Sequence, residues 1–405
     1  MFFRGVVIHG MERTETKDRA KMSRRKKLLF LSMNDPDLES NGSTVRAGAF
    51  VKYLAQRYDV SLVHMGGAGH EVAPEIENRF RDHENRVGLR ERRRVDFTQL
   101  GYFVFSPALY RAAAALLAKE RFDYLFADYG LSAVYGHRLA RRFRIPLIYN
   151  SCNVEYRAYR DLARYDLRRA ALLPYVYYAE KRACRHAQLV ISISENDRRV
   201  YERWISREKI RVIPQGFDPE SCHPHYEPPP NDPPVVLFVG NYRADPNREA
   251  AIDVVQNILP EVVRERPDVV FQFVGDASEF ELRGPNVDFR GFVDDLTPHW
   301  RRANLVISPV PVAHGMATKI IMGLAYGKPL LTTPEGIGAI PQRYRQLHVV
   351  PRSEFSRTIL ELLATAPAVD DTDFATLCED FGWPRLLERV CESIEELCAS
   401  RAGRI

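Results

Sequence analysis

The sequence predicts an α/β fold of two Rossmann-like, doubly wound domains that face a central cleft. Three observations predict it. Short buried strands alternate with helical stretches along nearly the whole chain, the order that builds parallel sheets. The run Glu227–Pro234, EPPPNDPP, interrupts that order once, because a Pro-rich run stays extended and continues neither element. A chain of 405 residues suffices for two domains of ordinary size, each burying its own core.

The elements follow in order. Lys27–Met33 (KLLFLSM) reads as a buried strand, the loop Asn34–Ser43 leads to a helix from about Thr44 to Tyr58, and Asp59–His64 is the next strand. Phe122–Ala127, Leu147–Asn150, Leu189–Ile193 and Arg211–Ile213 repeat the pattern. After the Pro-rich run come the strand Val235–Val239, a helix over Asn247–Glu265, and the strands Val269–Val274, Val287–Phe289, Leu305–Ser308, Leu330–Thr332 and His348–Val350. The expected division is a disordered extension over 1–25, with Met22 as an alternative start, a first domain over 26–226, a second over 235–382, and a terminal helix over 383–405 that packs back across the junction.

Composition narrows the class. No apolar run reaches the ~18 residues that span a bilayer; Arg111 interrupts the nearest, Leu100–Ala118. The six cysteines include no close pair with zinc or redox spacing, which fits a reduced, cytoplasmic protein. The net charge of +5 is uneven: residues 1–225 hold 40 Lys and Arg against 27 Asp and Glu, a net +13, and the remainder 18 against 26, a net −8. A basic half suits an anionic surface. No RNP-like aromatic pattern or paired Cys and His points to nucleic acid. Arg90–Pro107 (RERRRVDFTQLGYFVFSP) sets arginines beside aromatic rings, as a membrane interface would, although a solvated loop before a core helix reads equally from the same residues.

The densest stretch is Val306–Ile340, VISPVPVAHGMATKIIMGLAYGKPLLTTPEGIGAI. A strand stops at a loop containing Pro309 and Gly315, a helix follows from about Ala317, Tyr326–Pro329 ends it, and a second strand begins at Leu330. Free N–H groups and the positive end of a helix dipole gather where such a loop meets a helix. Lys319 lies in the first helical turn, so the segment reads as a phosphate-holding unit at the carboxyl edge of a parallel sheet.

This stretch resembles the retaining glycosyltransferases of family 4, the group 1 type with a GT-B fold. Pro309, Gly315, Lys319, Ala325, Gly327-Lys328-Pro329 and Thr333 stand at the family's motif positions. The family's two Glu positions hold His314 and Met322 instead, and Met322 offers no strong acceptor to a donor ribose. Other segments carry the resemblance over Lys27–Trp383. Gly42-Ser43 and Arg46 match the first Gly-rich loop, and Tyr149–Arg157 (YNSCNVEYR) matches the His-Asn-Val-Glu-Tyr stretch with Cys152 in the His place. Lys209–Asp218, Val236–Ala250, Phe273–Asp276 and Phe289–Leu296 match further motifs.

The resemblance implies site residues. Glu155, Asn153 and His314 are expected at the reaction centre. Gly240, Asn241, Arg243, Gly275, Phe292, Val293, Gly315, Thr318, Lys319 and Met322 are expected around the nucleotide sugar, with Gly42, Ser43, Arg46 and Cys152 on the acceptor side. Ser194 and Asp197 read better as a helix cap. The function so implied is a metal-independent, retaining glycosyltransferase that uses a nucleotide-diphosphate sugar as donor and no cofactor. Its acceptor is a glycan or lipid-linked molecule in polysaccharide or glycolipid synthesis. The expected partners are that donor, that acceptor and an anionic membrane surface, with no nucleic acid. The expected location is cytoplasmic, with a peripheral seat on the inner face of the membrane. Two other readings stay open: a non-catalytic GT-B relative that binds a sugar nucleotide or partner, and a sugar-nucleotide epimerase.

Overall fold

The computed structural model describes residues 25–33, 36, 42–65, 86–89, 107–163, 167–222, 233–277, 280–311, 316–365 and 371–402. Residues 1–24 of the extension expected over 1–25, most of the Pro-rich run, and residues 90–106 lie outside them, as do His314 and Gly315.

The first sheet is built in the order β1 (Lys27–Ser32), helix α1 (Gly42–Arg57), β2 (Asp59–Met65), β3 (Arg86–Leu89), α2 (Pro107–Lys119), β4 (Tyr124–Asp128), α3 (Gly130–Phe143), β5 (Leu147–Asn150), α4 (Glu155–Leu162), α5 (Leu167–His186), β6 (Leu189–Ser192), α6 (Glu195–Tyr201) and β7 (Ile210–Val212). Its seven strands run parallel in the order β3-β2-β1-β4-β5-β6-β7. The second follows as β8 (Val235–Val239), α7 (Asp245–Asp253), α8 (Leu259–Glu265), β9 (Val270–Val274), β10 (Val287–Gly291), α9 (Thr297–Arg302), β11 (Leu305–Ser308), α10 (Thr318–Ala325), β12 (Leu330–Thr332), β13 (Leu347–Val349), α11 (Phe355–Ala364), α12 (Asp371–Phe381) and α13 (Trp383–Ala402). Its strands also run parallel, in the order β10-β9-β8-β11-β12-β13.

Both sheets are covered on both faces, which is why their strands read as continuous apolar runs. In the first, Leu29, Leu31, Leu125 and Leu147 point to α2, α3 and α5. Leu28, Phe30, Phe126 and Ile148 point the other way, to Phe50 and Leu54 of α1 and Leu386, Val390 and Ile394 of α13. In the second, Val236, Phe238, Phe271 and Ile307 pack on α7, α8 and α11, while Leu237, Val306 and Leu330 pack on α10 and Trp300.

The halves join through backbone. Phe217 donates to the Phe381 carbonyl at 2.9 Å, and Trp383 donates back to the Phe217 carbonyl at 2.9 Å. A Cβ at Gly216 would lie 2.6 Å from Trp383 ring atoms, so only glycine admits this crossing.

Several local expectations change. The helix expected over Asn247–Glu265 is interrupted by one π turn, Val254–Ile258, before Pro260. That helix begins at Asp245, which pairs with Arg248. Ser194 does cap α6, accepting from the Asp197 N–H at 3.1 Å.

In each sheet the strand order reverses once, between β1 and β4 and between β8 and β11. Ligands of open α/β sheets bind beyond the carboxyl ends of the strands at such reversals, which here means beyond Ser32, Asp128, Gly240 and Ser308.

Candidate active site

The carboxyl edge of the first sheet is a buried polar network. β1, β4, β5 and β6 end in Ser32, Asp128, Asn150 and Ser192, none of them exposed. Asn150 donates to Asp128 at 2.7 Å and Ser32 approaches the other carboxylate oxygen at 3.4 Å. Burial pushes the Asp128 carboxyl up to about 6, against the pull of Asn150, Arg46 and Ser32.

Arg46 belongs to this network and does not face the acceptor side expected of it. Its guanidinium is fully buried. It donates to the Pro214 carbonyl (2.8 Å), the Ile213 carbonyl (2.9 Å) and Asn150 Oδ1 (3.1 Å), and it lies over the Phe50 ring. With both terminal nitrogens bonded to protein oxygens, and Nε left without a partner, it clamps α1 to the segment after β7. α1 itself begins at Gly42, two residues before the expected start at Thr44.

The segment after β5 carries Cys152, Asn153 and Glu155. Cys152 and Asn153 are half-buried, and burial, then the Asp128 charge, raises the Cys152 thiol well above its ordinary range, so it stays protonated. Glu155 is only 1% exposed. Its Cγ lies 2.4 Å from where a Gly130 Cβ would be, and its carboxylate accepts the Gly130 N–H. With its amide nitrogen facing Glu155, Asn153 donates to Oε1 at 3.0 Å and Oε2 at 3.3 Å. Glu155 is therefore neither a surface ion-pair member nor open to a ligand; it fixes the loop that presents Cys152 and Asn153.

Behind it lies Glu180, which sequence reasoning missed. Its carboxylate accepts the first two N–H groups of α4, from Glu155 (3.0 Å) and Tyr156 (3.1 Å), and the Tyr201 hydroxyl (3.0 Å). Tyr201 also meets Ser151 Oγ at 2.6 Å. Desolvation raises Glu180 to about 7, and desolvation together with Glu180 raises Glu155 well above the carboxylate range. Tyr129, between β4 and α3, was missed too. It holds φ 72 without being glycine, a conformation that needs support from its surroundings and concentrates at functional sites.

At the carboxyl edge of the second sheet three glycine backbones meet. Gly275, at φ 145, would place a Cβ 1.8 Å from the Gly240 carbonyl oxygen. Its N–H donates to the Gly291 carbonyl at 2.8 Å. No side chain fits at Gly275, where glycine lets the two strand-end backbones come this close. Lys319 stands over it. Its Nζ donates to Asn247 Oδ1 at 2.8 Å and lies 4.7 Å from the Phe238 ring centre. It makes no ion pair among the described residues, and burial alone lowers it to about 7. A half-buried, partly desolvated ammonium with no carboxylate partner among the described residues is ready for an anion.

The remaining expected residues surround this point. Asn241 is exposed and accepts the Arg243 N–H at 3.0 Å. Arg243 is largely exposed and turned to Asp276 across the glycine junction, at 3.0 Å. Met322, one turn beyond Lys319, packs with Val239, Val293 and Ala317 on the second core. Phe292 follows Gly291 and is 59% exposed. Among the described residues no group of three His, Cys, Asp or Glu could hold a metal ion.

The two edges face each other. A Cβ at Gly42, the first residue of α1, would lie 2.7 Å from Thr318 Oγ1, the first residue of α10. The N-termini of two helices thus converge within reach of Lys319, and their dipoles add positive potential to the same spot.

Comparison with known proteins locates the same two halves. Residues 40–221 match Glycosyltransferase Family 4, and residues 233–365 match Glycosyl transferases group 1. No curated protein matches the chain in sequence. Among solved structures, sucrose-phosphate synthase from Thermosynechococcus elongatus superposes with a TM-score of 0.71 at 18% identity, over 93% of this chain and 100% of that one. HepE from Anabaena, in complex with UDP-glucose, gives 0.64 at 16% identity, over 91% and 99%. The α,α-trehalose 6-phosphate synthase of Burkholderia multivorans gives 0.63 at 12% identity, over 93% and 100%.

Proposed function

The chain is a group 1 glycosyltransferase with the GT-B fold, and from that premise we propose that it moves a sugar from a nucleotide-diphosphate sugar to a hydroxyl of a glycan or lipid-linked acceptor. Lys319 carries this reading: a half-buried cation that makes no ion pair among the described residues, beside Gly240, Gly275 and Gly291 and two helix N-termini. When the glycosyl–oxygen bond breaks, negative charge grows on the departing diphosphate. Preorganised donors and cations placed where charge develops lower the barrier. Lys319 and the first turn of α10 supply that stabilisation, so the transfer is proposed as metal-independent. The base and ribose extend toward Met322, Val293 and Phe292. Solved relatives hold UDP and UDP-glucose, which favours a uridine nucleotide here.

The acceptor enters from the first sheet, where Cys152 and Asn153 border the opening. Glu155 positions this loop and is no nucleophile, being bound to Gly130 and Asn153. Retention of anomeric configuration is part of the proposal through the family 4 resemblance. A cytoplasmic seat on the inner membrane face, near a lipid-linked acceptor, completes it; no helix among the described residues is long and apolar enough to cross a membrane.

The test is calorimetric titration with a panel of nucleoside diphosphates and their sugars, followed by a transfer assay on the sugar nucleotide that binds. Selective binding and sugar release support the proposal. Equal indifference to every diphosphate overturns it.

A further inference from the structure

We propose that the groove between α3 and α5 is a docking surface for the phosphate headgroups of an anionic lipid membrane. The proposal rests on the membrane seat suggested above, and it names where that seat lies.

The groove encloses about 530 Å³ and is lined by arginines of both helices, Arg138, Arg141 and Arg142 from α3 and Arg182 from α5, with Tyr175 and Tyr178 at its rim. No carboxylate among the described residues lines it. Arg141, Arg142 and Arg182 are exposed and make no ion pair among the described residues, unlike Arg343, which pairs with Asp380. Residues 130–186 hold 12 Lys and Arg against 4 Asp and Glu. Two of those four, Glu155 and Glu180, are buried on α4 and α5, so little negative charge offsets the groove. His137 at its floor is held down to about 4, by burial first and then by His186, Arg182 and Arg138; the groove's charge at neutral pH is therefore carried by arginine.

The rings decide between a soluble phosphate and a membrane. Tyr178 is 63% exposed and Tyr175 46%. Among the described residues the exposed large hydrophobics are these two, their neighbour Tyr177, and Phe292 of the nucleotide side. A soluble phosphate gives such rings nothing. At a bilayer they lie at headgroup level while guanidinium groups bind lipid phosphates in fork geometry. The placement also suits transfer to a lipid-linked acceptor. Ala179 of the groove directly precedes Glu180, whose carboxylate caps α4 beside the acceptor loop.

The experiment is co-flotation of the full chain with phosphatidylcholine vesicles, with and without phosphatidylglycerol, at low and high salt. Wild type should float only with the anionic vesicles and be released by salt. The triple variant Arg141→Ala, Arg142→Ala, Arg182→Ala should bind them on the order of a hundred-fold more weakly, since each basic residue at an anionic surface contributes about 1 kcal/mol. Tyr178→Ser should weaken binding without changing its salt dependence. Both variants replace exposed side chains and should bind nucleoside diphosphate as wild type does. Undiminished flotation of the triple variant overturns the groove while sparing the membrane seat. No flotation of wild type overturns both. Binding of inorganic pyrophosphate or duplex RNA that the triple variant loses, with no vesicle binding, assigns the groove to a different ligand and also overturns the proposal.

Discussion

Lys319 is the residue on which the donor site turns. Replacing it with alanine removes a charge-assisted contact, so nucleoside-diphosphate affinity should fall by about 1.5–3 kcal/mol, roughly ten- to a hundred-fold. Arg243→Ala should cost under about 1 kcal/mol, because its charge is exposed and already shared with Asp276. Calorimetry on both variants separates them, and equal losses would mean that Arg243 leaves Asp276 to bind the ligand. The lowered Lys319 adds a pH signature. Between about 7 and its ordinary 10.5, the unfolded chain holds a proton that the free folded chain has released, so this group makes stability rise with pH across that window. Bound anion restores the proton. Affinity should therefore decline as pH rises above about 7 in wild type, and less so in Lys319→Ala. At Met322 a carboxylate is restored by Met322→Glu, which should tighten ribonucleotides relative to their deoxy counterparts; weaker ribonucleotide binding would show that Met322 does not face the ribose. At this scale the sequence was partly legible. Lys319 stood out through its place in a helix's first turn. Arg46 misled, since a sequence does not reveal that the carbonyls of Ile213 and Pro214, far along the chain, take a guanidinium's donors. Glu180 gave no signal, because the two N–H groups it caps belong to another helix.

At the scale of elements, the short helix α4 depends on that borrowed cap. Glu180 is raised from 4.5 to about 7. The folded protein then binds a proton that the unfolded chain has lost, so this contribution to stability is full below about 4.5 and fades as pH rises through about 7. Glu155, also raised and in contact through the same network, acts in the same direction. Glu180→Gln should flatten the decline. It should also lower stability at acid pH by about 1 kcal/mol, since one amide oxygen replaces two carboxylate oxygens as acceptors for the α4 N–H groups. Thermal unfolding from pH 4.5 to 7.5 measures both, and an unchanged slope would mean that the pair does not titrate as a unit. Strands were the most legible elements: β5, β8, β11 and β12 occupy their expected residues, because burial on both faces leaves an uninterrupted apolar signature. α3 was not legible as a helix. It begins at Gly130 after the left-handed Tyr129, with no side-chain cap to announce it. The π turn within Val254–Ile258 has no sequence signature of its own.

At the scale of the molecule, the two-sheet architecture was legible from alternation alone, and the meeting of Gly42 with Thr318 was not, since it depends on how the halves are held. α13 does part of that holding. Trp383, Leu386, Leu387, Val390 and Ile394 complete the core of the first sheet, and Glu388 takes the Tyr53 hydroxyl at 2.7 Å, 335 positions away. Truncation after Gly382 should uncover that sheet face and expose Leu28, Phe30 and Phe126 to solvent. The expected result is dye-binding, aggregation-prone protein with the first half more open to protease than the second. A truncated chain that resists protease as wild type does would assign α13 a dispensable role.

The reach of α13 also has a consequence in time. During synthesis the first half leaves the ribosome with one face of its sheet bare, and the helix that closes it is made only after the whole second sheet. At about 5–20 residues per second, the stretch from 222 to 402 takes on the order of 10–40 s. Through that interval the nascent first half waits with an uncovered apolar surface, a stage at which a chaperone would find its substrate.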